Sequence, residues 1–124
     1  MKECGLLGQA TRTTMNDVMA VYDRAGQSAD LGEMERHMAA NWHQGAQRVD
    51  QLQIVDRRLQ GLQADLAAAY ATAGDITLQA ADFMAGQEFM TPEVERRYND
   101  YQNQAQEPVA LAIDALNRYC IGGL

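Results

Sequence analysis

A chain of 124 residues that is 47% apolar is the size of one domain and can bury a core without a metal or a set of disulfides. Its apolar residues are mostly Ala, Leu and Met, which favours helix over sheet, and no run approaches the roughly 20 apolar residues of a membrane span. The net charge of −7, with no basic run, argues against nucleic-acid binding, because such a surface repels phosphate backbones.

The first segment carries Leu7, Thr11, Thr14, Val18, Tyr22 and Ala25 at steps of three and four, with Ala10, Met15 and Met19 widening the stripe. This spacing predicts a helix over about 6–26, with Gly26 at its stop. Asp30 followed by Glu33 has the spacing of a capping box and predicts the next start.

From there one pattern runs far: Leu31, Met34 and Met38, then Leu52, Val55, Leu59, Leu62 and Leu66, ending in Ala69 and Ala73. The steps resemble a heptad seam, with Leu52 to Leu66 expected in the core. Asn41, Gly45 and Arg48 interrupt it, and Trp42 and Val49 carry the apolar surface one position along. Two readings fit: a long helix with a stutter, or two helices meeting near Gly45. With no proline or clear cap between them, the continuous helix over 30–73, or two nearly collinear ones, is the expectation.

Ala73-Gly74-Asp75 then closes that helix and caps a short one over 75–87, carrying Ile76, Ala80, Phe83 and Met84. Thr91 is an expected N-cap, with Pro92 at the first helical position and acids in the first turn. The last helix, over 92–120, carries Val94, Tyr98, Tyr101, Ala105, Ala112 and Leu116, and Pro108 is expected to kink or break it. The expected fold is all-α, one domain over residues 1–124: an antiparallel bundle of four unequal helices.

Chemistry is harder to find. Residues 33–45, EMERHMAANWHQG, hold both histidines and the only tryptophan. His37 and His43 lie six apart, which on one helix sets them roughly 120° apart around the axis and about 9 Å along it. They cannot share a metal from a continuous helix, and neither has a Glu three residues before it. Met34, His37 and Met38 could suit a soft ion, but Met at seam positions is commonly a gap-filler. No phosphate-cradling glycine motif and no nucleophile beside a base appear either, so no catalytic residue, metal or cofactor is assigned.

The surface is more informative. Arg96, Arg97, Tyr98 and Tyr101 are residue types that dominate binding hot spots, and Trp42 joins them as a candidate contact. The plainer expectation is that both tyrosines cover the core while the arginines pair with Glu93 and Asp100. Residues 76–124 carry four of the seven net negative charges, an acidity that serves solubility or docks a partner with a basic surface.

The expected function is therefore a non-enzymatic interaction module: an adaptor, inhibitor, immunity-type or chaperone-like protein. The alternative is a small-ligand or metal-binding bundle with its pocket near Met34, His37, Met38 and Trp42.

The two cysteines, Cys4 and Cys120, flank the bundle. In an up-down bundle with an even number of helices the last helix returns to the pole where the first began, so the pair is expected to form a disulfide. Met1 to Arg12 has no apolar core of a secretion signal, and Lys2 is the only lysine. The expected location is periplasmic or secreted for a processed chain, to which the disulfide leans, and cytoplasmic otherwise.

Overall fold

The computed structural model describes residues 2–25 and 30–122. Among these residues four helices make up the bundle: α1 (Lys2–Ala25), α2 (Leu31–Asp50), α3 (Arg57–Ala85) and α4 (Pro92–Gly122). The stop expected at Gly26 lies outside the described residues. α1 starts earlier than residue 6, taking Cys4 into its first turn.

Asp30 caps α2 as its sequence position implies, its carboxylate accepting from the backbone N–H of Gly32 at 2.9 Å and of Glu33 at 3.3 Å. Thr91 does the same for α4, its hydroxyl accepting from Val94 N–H at 3.2 Å, with Pro92 in the first turn where no donor is missed. α4 then runs through Pro108 rather than breaking there. Pro108 has no N–H to give, but Gln104, whose carbonyl loses that donor, sits on the exposed side, where water serves in its place.

The middle of the chain corrects the sequence reading. The continuous helix over 30–73 does not exist: α2 stops at Asp50, the chain turns over residues 51–56, and α3 returns antiparallel to α2. Ala73-Gly74-Asp75 is no boundary either, since α3 passes through it to Ala85. Leu59, Leu62 and Leu66 are buried as expected, each contributing roughly 1.5–3 kcal/mol of transfer free energy. Leu52 is only half-buried and Val55 is 82% exposed, while Ile54 takes the core position.

This turn has no glycine or proline, and long-range polar side chains hold it. Gln63 donates to the carbonyls of both Val49 and Leu52 at 2.8 Å, closing the C-terminus of α2, and Gln60 donates to the Ile54 carbonyl. The Glu3 carboxylate reaches across from α1 to accept from the N–H groups of Val55 at 2.7 Å and Asp56 at 3.0 Å. Asp56 caps α3 through Leu59 N–H at 2.9 Å and accepts from the Tyr119 hydroxyl of α4. The turn is thus stitched to three helices, and Asp56 is its one local signal.

Two of the three residues that interrupted the seam, Gly45 and Arg48, and the supposed stop at Gly74 are contact sites between helices. A Cβ on Gly45 would collide with the Thr14 side chain of α1, so its absence lets α1 and α2 touch. On α3, Gly74 leaves room for the His43 ring of α2. Arg48 reaches back to α1, donating to Thr14 Oγ1 at 2.8 Å and to Asp17 at 3.2 Å. What looked like a stutter is the α1–α2 contact.

The core lies mainly between α2 and α3, with Trp42 on Tyr70 at 5.6 Å between ring centroids, extended by Leu7 and Val18 of α1 and Val109 and Leu116 of α4. Each helix packs on its neighbour in sequence, but α1 and α4 are sparsely in contact. Their firm link is the Cys4–Cys120 disulfide, with Cα atoms 5.8 Å apart, where the bundle topology put it.

Candidate functional site

The sparse contact between first and last helices leaves a groove of about 1260 Å³. Its walls follow from the helical stripes. On α1, Met15, Val18, Met19 and Tyr22 recur at three- and four-residue steps toward the space α4 would fill in a closed bundle. Met19 is 54% exposed and Tyr22 56% exposed, so these large apolar groups meet solvent. The floor belongs to α2: Met34, Met38 and Trp42 stand at four-residue steps, with Leu31 at the end.

The α4 wall is a single face running from Glu95 to Asn117, about 33 Å at 1.5 Å per residue. Val109, Ala110 and Ile113 form its apolar part, and Asn99, Gln102 and Gln106 add amides that can donate or accept. Three lining residues are charged, and all three are carboxylates: Asp23, Glu95 and Asp114. Asp114 is shared with Arg118 at 2.9 Å on the outer side of α4, where the arginine is largely exposed.

A buried polar pair supports the wall. Glu35 of α2 is 2% exposed and accepts a short hydrogen bond from the Tyr98 hydroxyl. Burial pushes the Glu35 carboxyl above its ordinary range, and the donors Tyr98 and Gln102 pull it partly back. Burial also pushes the Tyr98 phenol far up, and the bond and charge of Glu35 add to that. The pair locks the upper part of α4 to α2, so Tyr98 presents its ring to the groove while its hydroxyl is engaged beneath.

Of the residues proposed from sequence as contacts, Trp42 and Tyr98 meet in this groove. Arg96, Arg97 and Tyr101 do not. The Arg97 guanidinium lies 4.6 Å from the centre of the Phe83 ring, and Tyr101 packs on the same ring at 5.7 Å, on the α3–α4 side. None of the ion pairs among the described residues joins Arg96 or Arg97 to Glu93 or Asp100, so that expected pairing is corrected: Arg97 stacks on an aromatic face instead.

The histidines go separate ways. His37 points outward beside Glu33 at 3.8 Å, and His43 meets Asp75 at 3.0 Å across the α2–α3 contact. Of the pocket expected around Met34, His37, Met38 and Trp42, the groove keeps the two methionines and the tryptophan and leaves His37 outside. Among the described residues no three His, Cys, Asp or Glu side chains cluster to hold an ion, so thioethers are the soft donors the groove offers. A second hollow, about 410 Å³, lies between the 51–56 turn and α3, where the side-chain amides of Gln60 and Gln63 are already committed to backbone carbonyls.

Sequence reasoning missed Met15, Met19 and Tyr22 as functional candidates, and the whole α4 stripe below Tyr98. The available signal was a stripe on α1 wider than one neighbouring helix needs. The chain matches no protein-family model, curated protein or solved structure. The groove therefore stands on its own geometry.

Proposed function

We propose that this chain is a non-enzymatic protein-interaction module, of the adaptor, inhibitor, immunity or chaperone kind, and that the groove between α1, α2 and α4 is its working surface. The observation that carries this reading is the α1 row of half-buried Met15 and more than half-exposed Met19 and Tyr22, left uncovered by α4 above a floor of Met34, Met38 and Trp42. A chain able to bury such groups by closing α4 onto α1 would gain roughly 25 cal/mol for each Å² covered, so an open groove implies that something else covers it. Methionine suits a surface that must fit another molecule, because its side chain is unbranched and polarisable.

Aromatic, methionine and amide groups with few charges at the centre match the make-up of protein interfaces. The same floor supports a second reading, a site for a small apolar ligand, since Met34, Met38 and Trp42 all line it. The disulfide supports an oxidising compartment as the place of work, periplasmic or extracellular.

The test is capture from the native host with wild type and Ala110→Trp in parallel. Ala110 is an exposed groove residue, so a tryptophan there fills the site without removing a core side chain. A partner held by the wild type, rebound after purification and lost with Ala110→Trp supports the reading. Failure to find any protein whose capture depends on Ala110 refutes it.

A further inference from the structure

Resting on that reading of the groove, we infer that its occupant is a cationic amphipathic helix presented by a partner protein. Three observations select it. The α4 wall is about 33 Å long and follows one helical face, and the opposite wall of α1 runs antiparallel to it. A trough between two antiparallel helices, floored by a third, takes a rod of helical diameter, in the way apolar grooves receive an amphipathic helix. The apolar side chains that line it, half-buried Met15, Met38 and Ile113 and exposed Met19 and Ala110, backed by buried Met34 and Val109, recur at helical spacing along both walls and the floor, and so match apolar side chains at i, i+3 or i+4, and i+7 on the occupant.

Charge decides between occupants. The charged lining residues are Asp23 and Glu95 toward the pole away from the disulfide and Asp114 toward it. An anionic lipid or fatty acid would bring its headgroup against carboxylates. A second copy of this chain would bring another acidic rim and a further net charge of −7. A helix with Lys or Arg flanking its apolar stripe meets the Asp23 and Glu95 end favourably, while Asp114 at the other end is already paired with Arg118.

The inference is tested with the whole oxidised protein and a tryptophan-free 18-residue peptide of Leu and Lys in amphipathic spacing, read by calorimetry and by Trp42 fluorescence. Comparison peptides are the same composition with the stripe scrambled, and the Leu/Glu counterpart. The amphipathic Leu/Lys peptide is expected to bind with a Kd on the order of micromolar, and the other two at least about tenfold more weakly.

Ala110→Trp is expected to weaken it about tenfold or more. Asp23→Asn with Glu95→Gln is expected to weaken it about three- to tenfold and to reduce the salt dependence. Met19→Glu, at an exposed position, serves if Ala110→Trp fails to fold. Equal binding of the scrambled peptide, or binding untouched by the groove variants, overturns the inference. So does laurate binding in the groove while the Leu/Lys helix does not bind. A host protein lost with Ala110→Trp, together with no helix binding, leaves the interaction reading standing and refutes this one.

Discussion

Replacing a helical glycine with alanine ordinarily stabilises a helix by about 0.5–1 kcal/mol, because alanine loses less backbone entropy on folding. At Gly61 of α3, where nothing lies within 4 Å of the added Cβ, Gly61→Ala is expected to return that gain. At Gly45 of α2 the sign should reverse. The new methyl meets Cγ2 and Oγ1 of Thr14 inside contact distance and lies 3.0 Å from its Cβ. Thr14 is fully buried and cannot simply rotate away, since its hydroxyl donates to the Ala10 carbonyl at 2.9 Å and accepts from Arg48 at 2.8 Å.

Overpacking of this kind costs about 1–3 kcal/mol. A hydrogen bond lost in relieving it adds roughly 1 kcal/mol. Against the propensity gain, the net expectation for Gly45→Ala is a destabilisation of about 1–3 kcal/mol. Urea unfolding followed by the fluorescence of Trp42, the single tryptophan and a buried one, measures both variants against wild type. A double-mutant cycle with Thr14→Ala isolates the cause, because removing the colliding atoms should rescue most of the Gly45→Ala loss. If Gly45→Ala stabilises as Gly61→Ala does, or if the cycle shows simple additivity, the close approach of α1 and α2 is wrong.

Other expectations follow from the same geometry. Reducing the Cys4–Cys120 bond, or replacing both with serine, should cost up to about 5 kcal/mol on the chain-entropy account of a closure spanning 116 residues, with about 2–4 kcal/mol more usual; two titratable thiols in the folded, unreduced protein would refute the bond. Glu35 has its carboxyl raised above the ordinary 4.5, so its contribution to stability is full below that range and is lost as pH rises through the raised value. Glu35→Gln should therefore flatten the fall in Tm from about pH 4 to pH 7, and parallel wild-type and variant curves would sink the point. Asp56 acts in the opposite sense: the Leu59 N–H holds its carboxyl below the ordinary range, against some burial, and Tyr119 helps. Its contribution is present above the ordinary aspartate range and lost as pH falls through the lowered value, so the urea midpoints of Asp56→Asn and wild type should differ at pH 7 and draw together as pH falls below the ordinary aspartate range.

The helices and their number were legible because local signals agree with the fold. Asp30 and Thr91 cap where they should, and Leu59, Leu62 and Leu66 share the buried face of one helix. Pairing of Cys4 with Cys120 needed only an even helix count, which survived the wrong division of the middle. What misled was the continuation of three-four spacing across residues 51–56. Leu52 and Val55 fall on the extrapolated seam by coincidence, and the turn is specified by Glu3, Gln60 and Gln63, which act from other positions in the chain. A turn held by side chains from elsewhere in the chain carries no punctuation of its own beyond Asp56. Gly74 misled in the other direction: it resembled a stop, yet its role is to admit His43.

The groove was less legible still, since periodicity shows which face of a helix is apolar but not whether another helix covers it. Met15, Met19 and Tyr22 read as core for that reason, and only the spacing between α1 and α4 leaves Met19 and Tyr22 exposed and Met15 half-buried. A chemical hint was nevertheless written into α4. Its inward stripe places Asn99, Gln102 and Gln106 ahead of Val109 and Ile113, and amides on a face meant to close dry against α1 would each need a partner or carry a desolvation cost. On a face that receives a second molecule, those amides and the carboxylates at either end are what would set its register and orientation. The mixture that makes α4 a poor partner for α1 is therefore the same mixture that would make the groove selective for the proposed occupant.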